Sequence, residues 1–276
     1  MKPTLLLCLL LAILLNGFAQ VLRRPSIAGY SSFGAYSMQH TDAFSFTNNQ
    51  AALAQTKSLA VGVYGERRFL LNELNNYTAI VAMPTTSGNM GIKVNYAGFT
   101  DYNDTQLGLA YGRKLGHKVD IGAQFNYNAV RITNYGQASA ISFDIGTIFH
   151  ISDKIHTGIH ASNPVGGKYG KTNQEKLPAI YSIGIGYDAS DKFLVSAEIQ
   201  KEEDQPINVN AGFHYKIVNE IFVRAGISTT TSTMWVGAGM SLKTLRVDVV
   251  AAYHPQLGIT PGVLLLFKGK SKNKTN

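Results

Sequence analysis

Apolar and polar residues alternate with a period of two along most of the chain. The stretch Val119–Val130 shows this pattern without a slip. Successive side chains of a β-strand point to opposite faces, so the stretch predicts a strand with one apolar face and one small or polar face. The apolar set is Val119, Ile121, Ala123, Phe125, Tyr127 and Ala129, and the other set is Asp120, Gly122, Gln124, Asn126 and Asn128.

Segments with the same alternation follow one another from residue 58 to residue 267, about fourteen in all. Short joins, such as residues 116–118 and 152–154, alternate with longer ones, such as residues 131–139 and 163–178. An even number of strands with turns at one rim and loops at the other is typical of outer-membrane barrels. It also predicts that both termini lie on the side of the short turns.

Composition favours a membrane barrel over a soluble sheet. Only 15% of the residues are charged, yet the mean hydropathy is −0.01. A barrel with an apolar exterior and a polar interior has both properties. We therefore predict an all-β fold: a transmembrane, antiparallel, up-and-down β-barrel with an N-terminal pre-barrel or hatch segment. A soluble β-sandwich or an exported adhesin is the alternative, because its strands would also alternate.

The chain divides into four predicted parts. Residues 1–19 have a lysine, an apolar run and a small-residue ending, which indicates a cleaved signal peptide. Residues 20–57 are irregular but too apolar and aromatic for a free linker, so we expect a pre-barrel or hatch segment. Residues 58–267 form the predicted barrel, and residues 268–276 form a basic periplasmic tail.

The charge of the chain does not indicate a nucleic-acid partner. The net charge is +8, and several of the lysines lie in the C-terminal tail without interleaved aromatic residues. We interpret the tail as a solvated terminus. The partner expected from the barrel itself is outer-membrane lipid.

Charged residues on the inward parity are few. In a narrow barrel such groups can pair across the lumen, and pairing is expected because an unpaired buried charge is costly. We therefore favour structural pairing over a substrate path. The predicted lumen charges are Asp120, Asp144, Glu198, Arg224, Arg246 and Asp248.

No catalytic, cofactor-binding or metal site is expected. The only cysteine, Cys8, lies in the predicted signal peptide, and no nucleophile elbow of the G-x-S-x-G type is present. His156 and His160 share a strand face, but an i and i+4 spacing on a strand separates side chains by about 13 Å, too far for one ion. A non-enzymatic protein is the resulting prediction.

The longest predicted connection, residues 163–178, is the candidate outer binding loop. Length and position outside the strands are the reasons, because binding residues concentrate in loops on a rigid scaffold. Its candidate residues are Gly166, Gly167, Lys168, Tyr169 and Lys171.

The segment Asp42–Ala54, reading DAFSFTNNQAALA, resembles the segment before the barrel in FadL-like outer-membrane proteins and their PorV/PorQ relatives. That family segment has an acidic residue, a short apolar stretch and Asn-Pro-Ala-Gly-Leu. Here Gln50 stands in place of Pro and Ala52 in place of Gly. The candidate hatch motif is Asn48, Asn49, Gln50, Ala51, Ala52 and Leu53.

The resemblance implies two alternative functions, both in the outer membrane of a Gram-negative bacterium. PorV/PorQ-like members serve type IX secretion, which implies a non-enzymatic, partner-binding component of protein secretion or surface assembly, with protein partners of that system. FadL-like members take up hydrophobic molecules through a hatch-closed barrel, which implies a passive channel for small hydrophobic solutes. The compact predicted loops favour the PorV/PorQ-like function as the main hypothesis.

Overall fold

The computed structural model describes residues 33–170, 175–230 and 232–269. The predicted signal peptide, the start of the pre-barrel segment, Lys171 and most of the basic tail lie outside the described residues. Within the described ranges, fourteen antiparallel strands close into one barrel through pairing of the first strand with the last. The predicted fold class and strand number are confirmed.

The barrel strands pair with their neighbours in chain order, apart from two very short strands, β8 and β9, that pair with each other in a loop. The strands are β1 (Ala60–Arg67), β2 (Asn75–Pro84), β3 (Asn89–Gly98), β4 (Tyr102–Leu115), β5 (Val119–Ile132), β6 (Gly136–His150), β7 (Ile155–Ser162), β8 (Lys168–Tyr169), β9 (Glu175–Lys176), β10 (Ile180–Asp188), β11 (Phe193–Glu202), β12 (Asn208–Lys216), β13 (Ile221–Ser228), β14 (Thr233–Leu242), β15 (Leu245–His254) and β16 (Gly258–Lys268).

The helices are short 3₁₀ turns. They are Phe33–Tyr36, Ala43–Thr47, Gln50–Gln55, Arg68–Leu70 and Asn72–Leu74. None of the helices in the described residues is long and apolar enough to cross a membrane.

The two parities of each strand face different surroundings, as the alternation predicts. On β5, Phe125 is 39% exposed on the outer surface, whereas Asn126 is 1% exposed in the lumen. The outer surface is an apolar belt, and an apolar patch of this size on a barrel is the surface that lipid covers. Tyr64 of β1 faces the lumen, where its hydroxyl donates a hydrogen bond to Glu66.

The two rims of the barrel differ. Tight connections, including residues 116–118 between β4 and β5, join the strands at one end, which we call the turn rim. The other end, the loop rim, holds longer connections, of which residues 163–179 between β7 and β10 are the longest. Residues 33–55, inside the barrel, lie nearer the turn rim.

The depth dependence of the apolar belt gives a test of the barrel premise. Leu109 and Leu115 lie on the outer face of β4, 53% and 50% exposed, but Leu109 is at mid-strand and Leu115 is at the turn rim. Leu109→Arg should reduce the free energy of unfolding in lipid vesicles by about 2–4 kcal/mol, and Leu115→Arg by about 0–1 kcal/mol. Equal losses, measured by denaturant titration, would contradict a lipid-facing belt.

A candidate functional site: the plug in the barrel lumen

Residues 33–55, which we call the plug, lie inside the barrel as three 3₁₀ turns. Side chains begin two of these turns: Asp42 accepts a hydrogen bond from the Phe44 amide at 2.8 Å, and Asn49 accepts one from the Ala51 amide at 3.0 Å. The short turns have few backbone hydrogen bonds of their own. The plug therefore depends on contacts with the wall for its conformation.

One side of the plug is apolar and packs on an apolar arc of the lumen. Phe44, Phe46 and Leu53 are each 1% exposed. They belong to one buried cluster with wall residues of β1, β2, β4 and β14–β16. Its members on the wall are Ala60, Tyr64, Ile80, Ala82, Ala110, Trp235, Val250, Ala252, Leu264 and Leu266.

Inward glycines of the wall provide the space that the plug occupies. A Cβ atom at Gly122 would overlap the backbone of Gln50, and one at Gly186 would overlap the carbonyl of Tyr36. Gly112, Gly146, Gly158 and Gly184 likewise face plug atoms. These glycines therefore make room for a segment of the chain itself rather than for side chains from the opposite wall.

The strongest electrostatic contact of the plug is at Asp42. Its carboxylate accepts from the Arg246 guanidinium at 2.7 Å and from the Arg224 guanidinium at 3.2 Å. Arg246 also pairs with Asp248 on its own strand. All four side chains are at most 6% exposed. A carboxylate of the plug thus joins two arginines on β13 and β15.

The charge state of Asp42 follows from these partners. Burial raises the pKa of this carboxyl, but Arg246 and Arg224 lower it by more, so the pKa lies well below its usual range. A depressed pKa means that the stabilisation is present at neutral pH and is lost only as the pH falls through the folded value. The Asp42 contact therefore survives mild acid.

A second carboxylate, Glu198 of β11, binds the plug through neutral donors. It accepts hydrogen bonds from the Tyr36 hydroxyl at 2.6 Å, the Asn48 amide at 3.0 Å and the Asn210 amide at 3.3 Å. Because Tyr36 and Asn48 belong to different turns of the plug, Glu198 fixes their relative position.

The structure also places Asp120 against the plug, where the amide of Gln55 donates to its carboxylate. Asp144 lies further toward the loop rim and is held by wall residues, with Asn126 donating at 2.8 Å and Ser162 at 2.7 Å. We expected structural pairing of the lumen charges, and Arg246 pairs with Asp248 on its own strand. Arg224 and Arg246 are joined by Asp42 of the plug, a partner that lies outside the predicted strands.

The candidate hatch motif forms the end of the plug. The Asn49 amide donates to the carbonyls of Thr147 and Ile159, each at 3.3 Å, and the Leu53 carbonyl accepts from Asn89 at 2.7 Å. Gln50, Ala51 and Ala52 are at most 2% exposed, against the inward glycines. The small residues of the motif allow this close approach.

The candidate outer binding loop folds back on the barrel. Gly166 and Gly167 lead into β8, Lys168 is exposed, and Tyr169 is 3% exposed against Ala140 and Leu177. The amide of Gly167 donates to Asn163 at 2.8 Å, which fixes the start of the loop. These contacts leave Lys168 as the member of the described candidate set that is exposed to solvent.

Two histidines on neighbouring strands contact each other. His150 and His156, opposite each other on β6 and β7, bring their Nδ1 atoms to 3.0 Å, while His160 lies further along β7. No group of three histidine, cysteine, aspartate or glutamate side chains in the described ranges is arranged to hold a metal ion. The pair would have been found by considering the β6–β7 hairpin register.

Two grooves lie on the described surface. A groove of about 420 Å³ lies on the lipid-facing wall, lined by residues that include Val63, Tyr77 and Leu265. A polar cleft of about 280 Å³ lies at the turn rim beside the plug, between Ala54 and the turn 85–89. The second cleft marks a margin of the plug.

Solved structures share this fold. The CymD monoaromatic hydrocarbon channel is 12% identical with a TM-score of 0.59, covering 83% of this chain and 93% of that one. A Pseudomonas aeruginosa FadL homologue is 11% identical (TM-score 0.57, 86% and 96% covered), and the P. putida toluene transporter TodX is 9% identical (0.58, 83% and 92%). No protein-family model and no curated protein matches the sequence.

At these identities the likeness establishes the fold. The barrel fold that these structures share with this chain agrees with the fold that the segment 42–54 led us to expect, and CymD and TodX are described as a channel and a transporter. The PorV/PorQ part of the resemblance gains no support from them.

The Asp42 contact predicts how the plug is held. Asp42→Asn should weaken plug docking by about 3–5 kcal/mol, because it removes the negative charge that the buried Arg224 and Arg246 guanidinium groups share. Limited proteolysis of the folded barrel should then cut within residues 33–55. Glu203→Gln, which removes the exposed Lys176–Glu203 pair at the loop rim, serves as the control and should leave the plug protected.

The inward glycines predict a steric test. Gly122→Leu should displace the plug while the barrel stays closed, because the new side chain occupies the space of Gln50. Gly65→Leu is the matched control on an outward face, where an added Cβ meets only the Tyr77 ring at 3.2 Å. If residues 33–55 were equally protected from protease in the two variants, the proposed position of the plug against Gly122 would be contradicted.

Proposed function

We propose that this protein is a FadL-like outer-membrane channel whose lumen is closed by the plug and which passes small hydrophobic solutes when the plug moves. The observation that carries the proposal is the plug itself: an N-terminal segment seated within a closed barrel by a small number of polar contacts. Its apolar exterior supports placement in the outer membrane.

The wall does not depend on the plug for its hydrogen bonds. Each of the fourteen barrel strands pairs on both sides, so the barrel is closed without a contribution from residues 33–55. A plug that can move without opening the sheet is suited to gating. The polar cleft at the turn rim, between Ala54 and residues 85–89, lies where such movement would first open a path.

The solute class is supported by the chain's neighbours in structure and by one arc of its lumen. CymD and TodX are described as a monoaromatic hydrocarbon channel and a toluene transporter. In this chain, Trp235, Val250 and Ala252 give the lumen an apolar arc above the apolar side of the plug. An apolar or aromatic solute would bury its surface along that arc.

A second candidate function is the PorV/PorQ-like one, a partner-binding component of type IX secretion or surface assembly. The observation that favours it is the compact outer loop: Tyr169 is tucked against the barrel and Lys168 remains exposed, so this loop presents a defined surface. Under either function both termini would face the periplasm on the turn-rim side.

Two deletions with two measurements separate these functions. Deleting Ser31–Asn48 removes Tyr36 and Asp42, and should raise uptake of labelled toluene several-fold in Gram-negative cells that lack a hydrophobic-solute channel of their own. Deleting Gly166–Lys171 should leave this uptake unchanged. Heat-modifiable mobility on gels verifies that each barrel is folded.

The same two variants are then compared in pull-downs from outer membranes in mild detergent. Unchanged toluene uptake after plug deletion would exclude the channel function. If, in addition, a protein is recovered with the unmodified chain and lost with the loop deletion, the partner-binding function replaces it.

A further inference from the structure

His150 and His156 form a buried pair at the turn-rim end of β6 and β7. Their Nδ1 atoms are 3.0 Å apart, and their rings meet edge to face with centroids 5.0 Å apart. An Nδ1–Nδ1 contact at this distance is a hydrogen bond only if one nitrogen carries a proton and the other does not. The contact is therefore sensitive to the number of protons on the pair.

The other ring nitrogens face carboxylates. His150 Nε2 lies 3.0 Å from Asp120 Oδ2, and His156 Nε2 lies 3.3 Å from Asp188 Oδ2. The side chains of this four-residue row are 8% exposed or less. Three contacts thus connect four side chains on β5, β6, β7 and β10.

Both ends of the row hold the plug. The Gln55 amide, at the end of the plug, donates to Asp120 and lies 3.2 Å from His150 Nε2. Near the start of the plug, the Ser37 hydroxyl donates to Asp188 at 2.6 Å and the Met38 amide does so at 3.2 Å. A change in the row would reach two plug regions that are separated in sequence.

Counting protons shows which state of the pair fits this geometry. His156 Nε2 makes no hydrogen bond to Asp188 in this geometry, but without a proton it would turn a lone pair toward that carboxylate. Two neutral imidazoles carry two N–H groups, so one of the three contacts would lack a proton. A singly charged pair carries three: one facing Asp120, one facing Asp188 and one between the Nδ1 atoms. A doubly charged pair carries four, and two N–H groups then face each other at Nδ1, so the contact breaks.

We infer that the His150–His156 pair is an acid-sensitive lock on the plug: it holds one proton when the barrel is closed, and a second proton separates the rings and releases the plug ends bound at Asp120 and Asp188. The trigger is a proton from the medium. This goes beyond the proposed channel function and does not depend on which solute passes.

Among the charged groups around the row, the His150–His156 pair is the part that responds to mild acid. Asp120 and Asp188 face it from β5 and β10, Lys216 of β12 is close enough to Asp188 to attract it, and Lys114 of β4 donates to Gln55 at 3.3 Å. From the plug, His40 is near Asp188, but burial lowers its pKa to about 4, so it stays neutral in mild acid. Asp42, with its depressed pKa, stays bound to the arginines. Mild acid should therefore free the plug ends while its middle remains attached.

Two introduced cysteines report on these two parts of the plug. Ala54 lies next to Gln55, and Ala43 lies next to Asp42; both are 7% exposed. Each is changed to cysteine in a chain that lacks Cys8, and the rate of labelling by a water-soluble maleimide is measured in detergent between about pH 7.5 and pH 5. The ratio of the two rates removes the common pH dependence of thiol chemistry.

The ratio of Ala54→Cys to Ala43→Cys labelling should rise roughly tenfold as the pH falls, the factor that corresponds to loss of one hydrogen bond to a charged group. His156→Gln and His150→Gln should each abolish the rise, because glutamine keeps hydrogen-bonding groups but does not gain a proton. His117→Gln, at an exposed turn, is the matched control and should retain it.

A flat ratio in the otherwise unmodified protein would overturn the inference, as would a rise that persists in both glutamine variants. Gel mobility before and after heating shows whether each variant is folded. If a glutamine variant does not fold, hydrogen exchange of residues 33–55 in the unmodified protein provides the same test. Faster exchange near Gln55 than near Asp42 in acid, after correction for chemical exchange, supports the lock, and uniform exchange contradicts it.

Discussion

The close fit of the plug against the inward glycines is the constraint on which the other features of the lumen depend. Gly122 and Gly186 admit backbone atoms of Gln50 and Tyr36 where any side chain would exclude them. Only at that approach can Asp42 reach Arg224 and Arg246, and Tyr36 reach Glu198. Removing the space would separate these buried charges from their partners on the plug, so packing and electrostatics are coupled in this site.

The barrel wall was predictable because its cause is local. Each strand has one face toward lipid and one toward the lumen, so the period of two appears in the sequence of every strand, as in Val119–Val130. The strand number and the lumen orientation of Asp120, Glu198 and Arg224 follow from that alternation. The alternation of short turns and longer loops likewise follows from the spacing of these strands along the sequence.

The partners inside the lumen were harder to predict because they are set by contacts between distant parts of the chain. Asp42 meets Arg224 and Arg246 across 182 and 204 positions of sequence, and no periodic pattern marks that distance. The histidine pair is an intermediate case. His150 and His156 are opposite each other in the β6–β7 hairpin, so the short turn between them would have been enough to predict that they are neighbours. Considering only the positions along β7 draws attention to His160 instead.

The contacts of the plug fall into two sets that differ in their dependence on pH. The Asp42 contact joins a carboxylate to arginines that remain charged, and it persists over a wide range of pH. The row from Asp120 to Asp188 passes through two imidazoles, whose mutual contact exists only for certain proton numbers. Because the wall closes without the plug, weakening one set of contacts need not disturb the sheet. A segment held at its middle by permanent charges and at its ends by titratable ones would move as a hinged flap rather than leave the lumen. That arrangement allows a path to open at the turn rim and to close again through the same contacts.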